Sequence, residues 1–535
     1  MKLDNLVKKA EDARRVYDYL AKELNIDTRI PVKFLISQKS IKELKKSNLS
    51  ENPFPHVIAL VLAKLRKKGV DKLFKEEKVI QTAVIAAVLS LCAELATNIG
   101  ELRGDTFDGD EIDTDILYSG MQAIRLYMAN YKDKEFKKVR LKSALRVDNA
   151  INGSFYKYQT KDNRYISFHT YYQSQQRLLV NELKLKKPSE KFTLFSTKSD
   201  IRYLSKIVKE LDAFPLEERA FECGACACVL RDRDEFMNTS VGRAVCNMPL
   251  IRFTDYEPRK LNFGSSLKYG PLTGIRVLDF THIIAGPACS RILAEYGADV
   301  LMVRRGKYKE QEQAMLELDG WAGKQSIQLD LNKKEDLEKA KWLIGECHVI
   351  TYSYQNNAFD KFGLSKEEIR KINPNIIFAN LMCFSDTEWV NRPGWAPLAE
   401  DITGLSIRNG SKDKPVNLNG VPLDYIPGFI LAMGTLIAIR DNLKNGRITD
   451  VTTSLTKGAM LLHEMTDLCN ENKKPSDLTS VEIKNIEAFK NKRSYVNTKA
   501  IGSVGFPAPA TYHTKYNNLE RNMDFSDSNK NFRPD

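Results

Sequence analysis

The chain has 535 residues, 42% of them hydrophobic and 28% charged, proportions near the globular norm that exclude wholesale disorder and fibrous classes. The length leaves room for about three or four domains with cores of their own. The formal net charge of +13 favours anionic partners, but basic residues are interleaved with acids, as in Lys75-Glu76-Glu77-Lys78, and read as a mixed solvated surface.

Further classes fall away on the residues themselves. No zinc-finger spacing, RNP-like strand or long basic run supports a nucleic-acid partner. Nine cysteines in so long a chain are not a disulfide framework. Residues Met1 to Leu20 mix Lys, Glu, Asp and Arg with apolar positions; they predict an amphipathic helix, not a secretory signal, and their acids argue against a mitochondrial presequence. The longest apolar run, Ala83 to Ala93, meets Glu94 and is too short to span a bilayer, so a buried helix is predicted and no membrane partner. Arg533-Pro534-Asp535 is not a peroxisomal address. The expected setting is intracellular and reducing, by default cytoplasmic, with mitochondrion and peroxisome left open.

In chain order, residues 1–100 read as helical, with Leu6, Ala10, Val16, Leu20 and Leu24 at helical spacing. Asn52-Pro53-Phe54-Pro55 breaks the pattern, Val57–Leu65 resumes it, and Gly100 marks a stop. The acidic stretch Glu101–Asp115 reads as a solvated loop. Its acid spacing around Gly109 does not match a calcium-binding EF-hand loop. A helix is predicted over 116–132 and a hairpin over 154–172 with its turn at Lys161-Asp162-Asn163-Arg164. Helices follow at Gln173–Leu185 and Asp200–Leu211. Cys223, Cys226 and Cys228 lack a fourth ligand within 50 residues that is a histidine; the spacing fits one face of a short strand, and no metal is expected. Residues 249–272, punctuated by Pro249, Pro258, Gly264 and Pro271, read as a linker.

The second half changes character. Gly274–Phe280 is a strand, Ala288–Tyr296 a helix stopped by Gly297, and Asp299–Arg304 a strand. Strand Ser326–Leu329, helix Lys334–Ile344, strand Val349–Tyr352, helix Lys366–Ile372 and strand Ile376–Leu381 continue the alternation. The predicted fold class is α/β, a doubly wound parallel sheet with right-handed crossovers, plus a smaller α+β domain. The units are a helical partial module over 1–140, the α+β domain over 141–248, the linker, the α/β domain over 273–460, and a C-terminal helix with an extended polar tail over 461–535. Ligands of such sheets sit at the carboxyl ends of the strands, here the loops Thr281–Pro287, Arg304–Lys307, Tyr352–Asn357 and Cys383–Trp395. No G-x-G-x-x-G follows the first strand and no P-loop is present, which disfavours NAD, FAD and nucleotide phosphates.

The run Pro271-Leu-Thr-Gly-Ile-Arg-Val-Leu-Asp-Phe-Thr-His-Ile-Ile-Ala-Gly-Pro287, with Leu293-Ala-Glu-Tyr-Gly-Ala-Asp-Val300, resembles the family III CoA-transferases of CaiB/BaiF type, the group that takes in formyl-CoA transferases and α-methylacyl-CoA racemases. The likeness continues through Gly323–Leu331, Phe362–Leu364, Asn373–Ile377, Thr403–Leu405, Pro422-Leu-Asp-Tyr425 with Gly428 and Gly434, and Asp450–Leu455. More weakly, Asp162–His169 and Arg231–Phe236 are similar to a portion the family places later, so the chain looks like a longer, two-module member.

The resemblance implies a Rossmann-like domain that handles acyl-CoA and a carboxylic acid, with coenzyme A as substrate or ligand and no metal. It implies CoA contacts at His282, Ile283, Ile284 and Ala285, at Arg305, at Lys324 and at Ser353. It also implies interlocked homodimers, or a pseudo-dimer within one chain. The family's nucleophilic aspartate, which forms acyl anhydrides, falls on Ala396 in Arg392-Pro-Gly-Trp-Ala-Pro-Leu-Ala-Glu-Asp401. A methyl group cannot attack a thioester, and Glu400 and Asp401 are the substitutes in reach of sequence, one helical turn away. The family's E-N-[FY]-R-P-G loop reads Tyr352-Ser-Tyr-Gln-Asn-Asn357, with Gln355 for the arginine, and K-R-S reads Lys324-Gln-Ser326. The expectation is a CoA-transferase; the alternatives are a racemase-like enzyme, with His282 as its base, and a CoA-binding pseudoenzyme.

Overall fold

Short apolar strands buried on both faces pair in parallel because crossover helices cover each side. In the computed structural model of the protein, six such strands form the centre of the second half: β1 Arg276–Phe280, β2 Asp299–Arg305, β3 Gln325–Leu329, β4 Val349–Tyr352, β5 Ile377–Met382 and β6 Ile448–Ser454. The structure describes residues 3–37, 71–73, 75–107, 110–125, 130–131, 156–169, 173–184, 198–305, 317–355 and 357–471, the strands 483–484, 493–498, 502–507, 511–513 and 525–526, and Phe532. The breaker at Asn52–Pro55 and the run Val57–Leu65 lie outside them.

The six strands lie in the order β3-β2-β1-β4-β5-β6, all parallel. This is the doubly wound order, and its topological switch falls between β1 and β4. The period of two along each strand divides the core. Val277, Val300, Val349 and Ile377 enter one cluster with the helices Ala285–Glu295 and Pro422–Asn445. Their neighbours Leu278, Leu301, Ile350 and Phe378 enter another with the helices Lys334–Glu346 and Lys366–Ile372. Arg252–Tyr256 adds an antiparallel edge to β6, so the span 249–272 is part of the sheet and not only a linker.

The small unit is an antiparallel sheet of Tyr158–Gln159, Tyr165–Phe168 and Ala227–Val229. Tyr158, Ile166 and Phe168 pack on Leu204 and Leu216 of the helices Lys198–Val208 and Ala213–Glu222.

The first hundred residues are not all helix. Helix Leu3–Glu23 is followed by strand Val32–Ser37, which pairs in parallel with Ile112–Asp115. The acidic stretch therefore ends in a buried strand, not a solvated loop. Asp115 is used there as the cap of helix Ile116–Gln122, accepting from the Leu117 and Tyr118 amides at 2.8 and 2.9 Å. That helix stops at Gln122, short of the predicted 132, and Asn130–Tyr131 is strand. Segments from the far end of the chain complete both sheets. Ile483–Lys484 and Thr511–His513 flank the N-terminal pair, while Arg493–Thr498, Gly502–Pro507 and Phe525–Ser526 extend the main sheet.

Helix Gln81–Leu102 packs against helix Pro422–Asn445. Both are long and apolar enough to cross a membrane, and both are buried inside the fold. Each runs into a glycine of positive φ, Gly104 or Gly446, then a strand, then another helix. The N-terminal module thus repeats, in shorter form, the helix–strand–helix of the second half.

Candidate active site

The switch point opens where the loops after β1 and β4 diverge, and a buried network fixes the first of them. Asp279 of β1 is wholly buried. It accepts from Lys324 Nζ at 2.8 Å, Ser290 Oγ at 2.6 Å, Thr351 Oγ1 at 2.9 Å, and Thr281 Oγ1 and N at 2.5 and 3.1 Å. Burial favours its neutral form, but the ammonium of Lys324 and these hydrogen bonds outweigh it and hold the carboxyl below its ordinary value. Lys324 is equally enclosed. Its Nζ donates to Asp279, to Pro287 O at 3.0 Å and to Ser290 Oγ at 2.7 Å. All three donors are used, so the structure places Lys324 as a support for the loop rather than on its ligand side.

The loop itself is strained and tightly packed. Ile283 holds φ of 66°, a conformation a β-branched residue rarely adopts. Gly286 opens the next helix where a side chain would meet Thr281 Cγ2 at 2.6 Å and Ser353 Oγ at 2.9 Å. Its missing Cβ lets the β1 and β4 loops close on each other. The His282 amide donates to Ser353 Oγ at 3.4 Å. Ile283 is buried, while Ala285 and Ser353 are half-buried. Arg305 is the last residue of β2, paired with Leu329, one strand away from the switch.

Four rings cross from the small unit into this crevice. His169, at the end of strand Tyr165–Phe168, stacks on Trp395 at 4.6 Å. Trp395 meets the edge of His282 at 6.0 Å, and His282 stacks on Tyr354 at 4.4 Å. The Nδ1 atoms of both histidines are buried without a hydrogen-bond partner among the described residues. Burial pushes His282 down to about 4 and His169 down to about 3, so both rings are neutral at pH 7. Gln355, which stands in the family's arginine position, donates instead to Asn391 O at 3.0 Å and ties the β4 loop to the segment before Trp395.

Ala396 is buried and opens helix Ala396–Ile402, directly after Trp395. The two neighbouring acids are engaged elsewhere. Asp401 binds Lys157, and it accepts from Ser167 Oγ at 2.7 Å and Ser406 Oγ at 2.5 Å, tying the helix to the small unit. Glu400 accepts from Asn417 Nδ2 at 2.7 Å and the Leu418 amide at 3.1 Å. Burial pushes it up to about 7 against those hydrogen bonds. A third acid, Asp424 in the first turn of helix Pro422–Asn445, is 8% exposed. Burial, with Glu400 and Asp319 nearby, pushes it up to about 8.

Cys226 and Cys228 donate to Pro393 O and Leu398 O at 3.3 and 3.5 Å. Among the described residues no group of three His, Cys, Asp or Glu is arranged to hold a metal ion.

Residues 272–530 match the model of CoA-transferase family III. Over that span the chain is similar to that family. The match begins after the hairpin Tyr158–Phe168, which lies outside it. Among curated family proteins, the formyl-CoA:oxalate CoA-transferases of Escherichia coli O81 (strain ED1a) and O6:H1 (strain CFT073) are each 30% identical over 204 residues, 36% of this chain and 49% of theirs. The chain spans about half the length of the curated relatives it matches. Among solved structures, Rv3272 from M. tuberculosis in its orthorhombic form is 27% identical over 41% of this chain and 60% of its own, with a TM-score of 0.35.

The site contains residues that sequence reasoning missed. His169, Tyr354 and Trp395 carry no local signal of a role, because their ring contacts join residues 72, 113 and 226 positions apart. Asp424 stands inside the motif Pro422-Leu-Asp-Tyr425, which reads along the chain only as the start of a helix.

Proposed function

We propose that the chain binds the CoA portion of an acyl-CoA at the carboxyl ends of β1, β2 and β4 and transfers CoA between carboxylic acids. The observation that carries this reading is the family match over 272–530 on a doubly wound sheet whose switch-point loops converge on a strained, glycine-opened turn. A thioester is the fitting substrate class, because the crevice is walled by neutral aromatic and imidazole rings. His282 is a poor base for removing a proton α to a thioester, since burial keeps it neutral to about pH 4 and no described carboxylate holds its Nδ1. That favours transfer over racemisation. Ala396 favours a second reading, in which the fold binds CoA without turnover. We also propose that one chain supplies both halves of the helix pair that a second subunit would otherwise complete, since Gln81–Leu102 already lies on Pro422–Asn445.

Calorimetric titration of the full chain with free CoA and acetyl-CoA tests the binding claim. Saturable binding to both is expected, about tenfold weaker in Arg305→Ala, which corresponds to about 1.4 kcal/mol. No heat with either compound overturns the reading.

A further inference from the structure

Two stacked ring pairs meet at a right angle where the small unit closes on the switch point. His169, at the end of strand Tyr165–Phe168, and Trp395, just before helix Ala396–Ile402, lie 4.6 Å apart with 23° between their planes. His282 and Tyr354, on the loops after β1 and β4, lie 4.4 Å apart with 17° between theirs. The planes of His282 and Trp395 stand 86° apart with 6.0 Å between centroids, and this contact joins the two pairs into a corner. His282, Tyr354 and Trp395 are half-buried, so the corner keeps an accessible side. It suits a flat aromatic group, because a ring stacked on one wall meets the other edge-on, and both are favourable aromatic geometries.

The corner also carries unmet polarity. His169 is 8% exposed, and its Nδ1, like that of His282, is buried without a hydrogen-bond partner among the described residues. Leaving a buried polar atom unpaired is destabilising, and a ligand group that meets it removes that penalty. A neutral imidazole has one donor and one acceptor nitrogen, and a hydroxyl fits either tautomer because it both donates and accepts. A carboxylate fits poorly. Both rings are neutral at pH 7. Three basic side chains of the surrounding elements are committed to acids of the protein itself, Lys324 to Asp279, Lys157 to Asp401 and Arg392 to Glu218. Gln355 is committed to a backbone carbonyl.

Resting on the CoA-transferase reading above, we propose that the corner between His282 and Trp395 selects the acyl group, and that it takes an uncharged aromatic acyl group bearing a ring hydroxyl. The aryl ring stacks on one wall and turns its edge to the other, and its hydroxyl meets an imidazole nitrogen of His169 or His282. Turning an imidazole over about χ2, a soft two-fold torsion, brings the unpartnered nitrogen to the open side. A small acyl group leaves the corner unfilled. A dicarboxylate brings a second charge against neutral rings, with no cation to compensate its lost hydration. The four rings set specificity and take no part in making or breaking bonds.

The test is calorimetric titration of the full chain with free CoA, acetyl-CoA, succinyl-CoA, benzoyl-CoA and 4-hydroxybenzoyl-CoA. Benzoyl-CoA is expected to bind about tenfold tighter than acetyl-CoA, and 4-hydroxybenzoyl-CoA about fivefold tighter again. Succinyl-CoA binds no tighter than acetyl-CoA. His169→Phe and His282→Phe keep a ring and remove its nitrogens, so the advantage of the hydroxyl is lost in at least one of them. Trp395→Leu removes a wall and narrows the gap between benzoyl- and acetyl-CoA. The wild-type affinities decide the aromatic preference even where a variant fails to fold. Equal binding of acetyl- and benzoyl-CoA, or tightest binding of succinyl-CoA, overturns the proposal and leaves CoA binding standing. No hydroxyl advantage in the wild-type protein, or one that survives in both histidine variants, overturns the role of the imidazoles. No binding of CoA or of any thioester defeats the underlying reading, and this proposal with it.

Discussion

Lys324 shows how one residue type serves two opposite roles. The family resemblance implies a ligand contact at Lys324, because a matched motif registers residue type and not enclosure. In the fold its ammonium and the Asp279 carboxylate have no solvent exposure and lie 2.8 Å apart. A pair so deep gains little over an apolar one, but removing one partner strands the other. Lys324→Met is expected to destabilise the fold by about 3–5 kcal/mol, measured as a lower urea midpoint at pH 7. Adding Asp279→Leu should recover much of that loss, because the uncompensated charge is then gone. Ala396 is the converse case. Its identity was legible at once, and so was the chemistry it cannot do.

At the scale of elements, the β–α alternation of the second half was legible because each segment carries its own period. Strands Val349–Tyr352 and helix Lys366–Ile372 begin and end where their apolar runs predict. Val32–Ser37 was missed because its run Val-Lys-Phe-Leu-Ile-Ser is short and sits in a helical neighbourhood; it is strand only because Ile112–Asp115 and Ile483–Lys484 lie beside it. The join between modules is equally non-local. The Arg103 guanidinium, just past helix Gln81–Leu102, donates to four carbonyls of the span read as a linker and to one just past it. They are Pro271 O at 2.7 Å, Thr273 O at 2.8 Å, Gly264 O at 3.0 Å, Phe263 O at 3.1 Å and Ser266 O at 3.2 Å. Arg103→Ala leaves these carbonyls to water and is expected to cost on the order of 2–3 kcal/mol, the range for hydrogen bonds to a charged group. Limited proteolysis should show faster cleavage near Lys260 and Lys268; an unchanged digestion pattern would count against the clamp.

Across the whole molecule, the two long buried helices organise everything else. Each begins a helix–strand–helix unit, and the pair forms an interface inside one chain. The N-terminal copy has Thr82 where register from the closing glycines puts Asp424 in the other. If the internal pair replaces a partner subunit, the protein in solution has the mass of one chain, 60.9 kDa, at micromolar concentration. Light scattering that gives twice that mass and resists dilution would oppose the single-chain arrangement.

By itself the sequence determined the α/β class, the strand–helix alternation, the loop after β1, the family resemblance and the absence of the expected carboxylate. These are local properties, written in periodicity, turn residues and contiguous motifs. Tertiary structure alone decided that Lys324 is sealed against Asp279, that Asp401 is tied to Lys157, and that His169 and His282 both meet Trp395. Burial, pairing and pKa depend on which groups lie within a few ångströms in space, and chain spacing does not encode that distance.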